Sequence, residues 1–279
     1  MFALPDHSIV ALDGRDAVAF AHAQFMSDVA GLQAGQWQWS GWLTPKGRLI
    51  ALFALLKIDN ETVWLLLQDV DAAGFASQLQ RFVFRSKLKI AVRDDLRATG
   101  TFDAPSHAAG ARLSTSEDGG TELDFTAAAG ARTLRIVGDV HVDQDADALA
   151  RWIAFDLAHG LPRLPVSQRE QWTPQQLSLD RLHAYSIRKG CYPGQEIVAR
   201  THFLGQAKRG LMLFEGDAPF VAGAQVTDGE RVLGPVVSVA AAGPRHLALA
   251  VLPLDPPATG PRIDGHAVRP LALLDGLAR

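Results

Sequence analysis

Three consecutive strand-like segments constrain this chain of 279 residues most. Gln36-Trp37-Gln38-Trp39-Ser40-Gly41-Trp42-Leu43 alternates polar and apolar positions, Thr44-Pro45-Lys46-Gly47 is a turn, and residues 48–58 read as a buried strand. Asp59-Asn60-Glu61 then turns the chain into a third strand of the same sheet over residues 62–67. Around this meander the pattern is mixed. Ser8–Leu12 reads as a strand ended by Asp13-Gly14, and Asp16 can cap a helix to about Leu32 on the Phe20, Gln24, Phe25, Val29 spacing. A second helix is expected from about Val70 to Val83, then the alternating strand Lys87–Arg93. The fold class is α+β.

Residues from about 96 to 138 read as short strands joined by Gly, Ala and Ser, and 145–160 as a helix with Asp147 near its start and Gly160 ending it. After Gly205 the texture changes to short strands separated by Gly and Pro, at the spacing of a β-barrel. The expected organisation is an N-terminal α+β domain over 1–95, completed by about 165–206, a second α+β domain over 96–164, and a C-terminal β-barrel over 207–279. The longest apolar run, Leu49–Leu56, is far too short for a membrane span. The first residues show no export or organelle signal, and a single cysteine fits a reducing cytoplasm, so a cytoplasmic protein with no membrane contact is expected. One cysteine also cannot hold an iron–sulfur cluster, which takes about four thiolates, so neither a resident cluster nor another intrinsic metal is expected.

The net charge of −3 argues against stable nucleic-acid binding. Its distribution is uneven. Residues 188–209 carry Arg188, Lys189, Arg200, Lys208 and Arg209 against the single acid Glu196. A second stretch holds Arg81, Arg85, Lys87, Lys89 and Arg93 with no acid between. Such stretches suit an anionic small ligand or a phosphate backbone, or are solvated faces; in the second, the alternation over 87–93 is also that of a half-buried strand.

The chemistry concentrates in Arg188-Lys189-Gly190-Cys191-Tyr192-Pro193-Gly194-Gln195-Glu196. A cysteine becomes a thiolate beside cations and at a helix N-terminus. Cys191 follows two cations and precedes Gln195–Arg200, which reads as a helix start, while Gly190 and Gly194 leave the backbone open to a ligand. Cys191 is therefore the candidate reactive residue, with Lys189 beside it; a small buried hydrophobe is the alternative. His183 and His202 lie near in sequence, but neither spacing matches a Cys–His hydrolase signature. P-loop, zincin and Gly-x-Ser-x-Gly patterns are absent.

The stretch from Lys189 to Glu196 resembles the K-G-C-Y-x-G-Q-E signature of the YgfZ family, folate-binding relatives of the glycine cleavage T-protein that include proteins supporting iron–sulfur enzymes. The similarity runs on through Ile197-Val198-Ala199-Arg200, Phe203-x-Gly205 and Lys208-Arg209. Upstream it takes in Pro174-Gln175-Gln176-Leu177, Gln24 with Asp28-Val29, and Leu43-x-Pro45-Lys46-Gly47-Arg48. The resemblance implies a T-protein-like multidomain fold around a central channel, with a C-terminal β-barrel. It implies reversible binding of tetrahydrofolate or a derivative, with Trp152 stacking on the pterin and Arg188, Tyr192, Gln195, Glu196 and Arg200 around the ligand. It implies a role in iron–sulfur cluster assembly or repair, indirectly in tRNA modification, with assembly proteins or client enzymes as partners. Two positions depart from the pattern. Where T-proteins carry a strand aspartate that assists aminomethyl transfer, Leu49-Ile50-Ala51-Leu52-Phe53 has no acid. Where some relatives have a further tryptophan, the nearest residue is His7. Glycine cleavage activity is therefore not expected, although a folate-dependent methyl- or aminomethyltransferase, or a binding module without chemistry, are the alternatives.

Overall fold

The computed structural model describes residues 1–116, 119–138, 140–203, 205, 207–255 and 260–279. In chain order it runs β1 (Phe2–Ala3), β2 (His7–Asp13), α1 (Ala17–Gln24), β3 (Gln36–Leu43), β4 (Leu49–Lys57), β5 (Thr62–Gln68), α2 (Ala72–Gln80) and β6 (Lys89–Val92). These are followed by β7 (Leu96–Thr101), β8 (Ser114–Thr115), β9 (Thr121–Asp124), β10 (Thr133–Gly138) and α3 (Ala146–Ala158). Two short 3₁₀ turns, Val166–Gln168 and Leu179–Leu182, lead to α4 (Gln195–Phe203). Seven strands finish the chain: β11 (Arg209–Gly216), β12 (Gln225–Asp228), β13 (Arg231–Ala242), β14 (Arg245–Pro253), β15 (Arg262–Ile263), β16 (His266–Ala267) and β17 (Arg269–Leu271).

The meander forms as its pattern predicts. Trp37 faces Leu56 and Trp42 faces Ala51 in the β3–β4 ladder, within a five-stranded sheet of order β3-β4-β5-β2-β6. Trp37 and Trp39 are fully buried and their indole N–H groups donate to Gly110 O and Leu277 O, so these aromatics serve packing. A second five-stranded sheet has the order β1-β7-β10-β9-β8, so the first strand crosses into it and pairs Phe2 with Gly100. The last seven strands make an antiparallel, nearly closed barrel of order β16-β15-β12-β13-β14-β11-β17. One apolar core runs through all three sheets, from Leu4 and Trp39 through Leu134 and Trp152 to Leu249.

Helix boundaries differ in part from the sequence reading: α2 spans Ala72–Gln80, short of the expected Val70 to Val83 at both ends. α1 stops at Gln24, not near Leu32: Phe25 is extended and bridges Trp42, and Met26 N–H donates to Gly41 O, so the sheet edge takes the backbone groups that would have continued the helix. Asp16 does not cap α1 with its side chain. Its carboxylate accepts instead from the Lys87 N–H at 2.6 Å. For α3 the capping carboxylate belongs to Asp145, which accepts from Ala148 N–H at 2.9 Å. The helix ends at Ala158, and Gly160, just past its cap His159, takes a φ of +71° that is costly for residues with a Cβ.

Candidate functional site

The segment around Cys191 is a loop held by its own hydrogen bonds. Ser186 Oγ accepts from the N–H groups of Arg188 and Lys189, Tyr192 Oη donates to Ser186 O at 3.0 Å, and Gln195 Nε2 donates to Lys189 O at 3.0 Å. Gly194 adopts φ +78°, and a Cβ there would lie 2.7 Å from both Gly47 Cα and Thr44 O. The glycines of the signature and of the β3–β4 turn thus touch backbone to backbone, which no larger residue at position 194 permits. The loop opens into α4, and Cys191, four residues before its first residue, is exposed.

The two cations before Cys191 behave differently. Arg188 is exposed, as are Glu196 and Arg200 on α4. Lys189 is buried, its ammonium over the Tyr192 ring at 4.7 Å and donating to His22 O and Phe25 O at the C-terminal end of α1. There it satisfies carbonyls that the helix leaves unpaired, where a cation is favoured. Burial pushes its pKa down to about 8, against the opposing pull of the Asp28 carboxylate. Burial also drives the Tyr192 phenol upward. Tyr192 and Lys189 are thus buried within the loop, whereas Cys191, Arg188, Glu196 and Arg200 are exposed.

Motifs far apart in the sequence converge here. Lys189 binds the end of the helix carrying Gln24, Arg48 Nη1 donates to Gln176 Oε1 at 3.1 Å, and Gln175 Nε2 donates to Val198 O at 2.8 Å. Gln175 is 9% exposed and its Oε1 has no partner. It lines a cleft of about 610 Å³ between the signature elements and the barrel. His183, Tyr185, Ile187, Thr201, His202 and Arg209 also face this space. Burial, then Asp180, raises the Tyr185 pKa to about 12, so its phenol stays a hydrogen-bond donor. Ser178 and His183, on either side of the Leu179–Leu182 turn, take left-handed conformations (φ +49° and +54°), unusual for non-glycine residues. The two histidines weighed as partners for Cys191 thus line this cleft, and Cys191 does not.

Trp152 is elsewhere. It is fully buried on α3, its ring contacts Phe2 and Phe125, and the Arg132 guanidinium lies 4.1 Å above it. The backbone of β7 reaches it at Gly100, where a Cβ would sit 2.9 Å from the ring. The indole is fully buried in this structure, and the amphipathic position of Trp152 is filled by core packing. Sequence reasoning also passed over its neighbours. Arg132 and Asp156, both fully buried, pair at 2.7 Å. Arg163 reaches Asp156 at 3.5 Å and Asp69 at 2.5 Å, while its carbonyl accepts from Ser238 Oγ in the barrel. His7 is buried with both ring nitrogens unpartnered, and burial, then Arg163 and Arg132, lowers its pKa well below 6.5. Single arginines and aspartates scattered over the sequence carry no signal of such a cluster.

Ala51 lies buried in β4, opposite Trp42, and no residue of that strand is acidic. Among the described residues no group of His, Cys, Asp and Glu could hold a metal ion, and no helix is long and apolar enough to cross a membrane.

No protein-family model matches the chain. It is 29% identical over 240 residues to the tRNA-modifying protein YgfZ of Klebsiella pneumoniae (strain 342), covering 78% of this chain and 72% of that protein. To the tRNA-modifying protein YgfZ of Serratia proteamaculans (strain 568) it is 27% identical over 236 residues, covering 78% and 71%. Among solved structures, the glycine cleavage system aminomethyltransferase T from Bartonella henselae superposes with a TM-score of 0.76 at 16% identity, over 99% of this chain and 84% of that one.

Proposed function

We propose that this chain, a homologue of the YgfZ proteins built on a T-protein-like fold, is a tetrahydrofolate-binding cytoplasmic accessory protein that supports iron–sulfur cluster assembly or repair and, through the enzymes so served, tRNA modification. The observation that carries this reading is the signature loop itself. It holds an exposed cysteine, and Ile187 and Thr201 on either side of the loop line a cleft of about 610 Å³, within the range of roughly 300–1,000 Å³ typical of small-molecule sites.

The cleft suits a folate in its donor set. Gln175 Oε1 is a buried acceptor without a partner, matched to an amino or ring N–H of a pterin. Tyr185, His183 and His202 offer flat surfaces in the cleft, whose lining also holds Arg209. Outside that lining, the exposed guanidinium groups of Arg188 and Arg200, next in sequence to Ile187 and Thr201 respectively, suit an anionic glutamate tail. Bound tetrahydrofolate would supply a carrier for a one-carbon unit. Cys191 contributes a thiol that a partner protein can reach, because it is exposed. As one thiolate it serves as a reactive group or as one transient ligand to a cluster completed by the partner. Any turnover is then folate-dependent one-carbon transfer, but not the aminomethyl transfer of glycine cleavage. β4 offers no carboxylate to act as base or to stabilise a developing cation.

Complementation of a YgfZ-deficient bacterium tests this reading. The wild-type chain is expected to restore tRNA modification, and Cys191→Ala to fold and bind tetrahydrofolate but fail to restore it. Gln175→Leu is expected to weaken tetrahydrofolate binding in a calorimetric titration by about tenfold. Full complementation by Cys191→Ala, or no tetrahydrofolate binding by the wild type, would overturn the reading.

A further inference from the structure

The second basic stretch is not absorbed by the folate site. After α2, turns at Arg81, Phe82 and Val83 close the helix and present two aromatic rings to solvent: Phe82 is 50% and Phe84 85% exposed. They alternate with cations in Arg81-Phe82-Val83-Phe84-Arg85-Ser86-Lys87, and the Arg85 guanidinium lies 5.4 Å over the Phe84 ring. The stretch is anchored at its far end. Lys87 N–H donates to Asp16, and Gly14 leaves no room for a Cβ, which would fall 2.4 Å from Lys87 O. Among the described residues no carboxylate pairs with the side chains of Arg81, Arg85, Lys87, Lys89 or the nearby exposed Lys46. Asp13 stands across the ladder from Lys89, and Asp16 accepts from the Lys87 N–H.

Phe82 also lines a pocket of about 360 Å³ together with Trp42, Pro45, Ile50 and Pro193, to which Thr44, Gln78 and Arg81 add polar groups. Trp42 and Phe82 meet edge to face at 5.7 Å. Pro193 places this pocket against the signature loop, two residues from Cys191. The lining is mostly apolar, and Arg81 gives it a cation.

We propose that this pocket and the 81–89 stretch form a contact surface for unpaired nucleotides of an RNA. Phe84 stacks one base, the Trp42–Phe82–Pro193 pocket takes another, and Arg81, Arg85, Lys87 and Lys46 neutralise the backbone phosphates. Exposed rings interleaved with unpaired cations are what single-stranded nucleic acid requires, because each base offers a face to stack and each phosphate a charge. An acidic peptide would use the cations but leave Phe84 idle. With a net charge of −3 the chain as a whole does not attract nucleic acid, so the contact is local, transient and steeply salt-dependent. The surface takes its biological context from the tRNA-modification reading, but its test involves neither folate nor Cys191.

The test is fluorescence anisotropy of a labelled, unstructured RNA of about ten nucleotides with the full chain, alongside co-sedimentation with phosphatidylglycerol vesicles. Binding is expected at low salt, with a log–log salt slope of about −2 to −3 from three or four phosphate contacts. Arg81→Glu with Arg85→Glu is expected to weaken it at least about tenfold and Phe84→Ala about fivefold. Phe84 is mostly exposed, so its removal leaves the melting temperature unchanged. Absence of RNA binding at low salt, equal binding by Phe84→Ala and the charge reversal, or binding to vesicles in place of RNA would overturn the proposal. Loss of RNA binding in a Cys191→Ala chain is not expected, so failure here and failure of the thiol reading are separable.

Discussion

The signature loop and the α3 hub each set cations beside an aromatic ring, yet they do different work. In the loop, Lys189 lies 4.7 Å from the Tyr192 ring, two residues from an exposed cysteine. In the hub, Arg132 lies 4.1 Å from the Trp152 ring with a carboxylate at 2.7 Å, and these three side chains are fully buried. The loop spends its buried atoms on holding an exposed group in place. The hub spends them on joining parts of the molecule, since Arg163 binds Asp69 after β5 through its side chain and Ser238 of β13 through its carbonyl. Residue type told little about which region does which; burial of the last few atoms decided it.

Substitutions in the hub should show the largest effects on stability. Asp156→Ala leaves Arg132 buried and unpaired, at a cost of about 3–5 kcal/mol. Trp152→Ala opens a cavity in the shared core, costing a similar amount, about 3–5 kcal/mol. Both are read from urea midpoints at constant m-value. Cys191→Ala, by contrast, should change stability by less than about 0.5 kcal/mol. Were Cys191→Ala as costly as Trp152→Ala, the two regions would not differ in kind.

Within the loop the rigid element is the glycine contact. Gly194→Ala combines an unfavourable φ with a clash against the Gly47 backbone, and should cost about 1–3 kcal/mol in the same urea experiment. The thiol reactivity of Cys191 should alter with it. A variant as stable as the wild type would mean that the loop is not held through this contact.

Protonation sharpens the contrast further. His7 stays neutral in the folded chain because its pKa is lowered, but takes up a proton below about 6.5 once unfolded. The unfolded state then binds more protons, so stability falls as pH drops below that value. His7→Phe should flatten this acid limb of melting temperature against pH. Lys189 acts at the other end. Its folded pKa of about 8 lies below the unfolded value of 10.5, so its burial penalty is relieved and stability rises as pH increases between the two. In Lys189→Met this smaller rise should vanish, and its persistence would assign it to another group.

Short-range pattern made much of this legible. The alternation of Gln36–Leu43 and the apolar run after Gly47 specify paired strands, because side-chain direction follows backbone period. The order of motifs around Lys189–Glu196 likewise points to the T-protein-like fold. The end of α1 was not legible. Phe25 and Met26 continue a helical spacing, and only the edge of β3, folded beside them, draws their backbone away. The same holds for Trp152. A tryptophan on an amphipathic helix reads alike whether a ligand or Arg132, Phe2 and Phe125 cover it.

By itself, then, the sequence determined the α+β class, the C-terminal barrel and the segment in which the chemistry is sought, since these rest on periodicity and on neighbours within a few residues. Tertiary structure alone decided which cations stay free, which aromatics remain open, and that Gln175 faces a cleft with an unpaired oxygen. Those properties depend on desolvation by residues from distant parts of the chain: Lys189 gives its charge to the end of α1, and Arg132 gives its charge to Asp156.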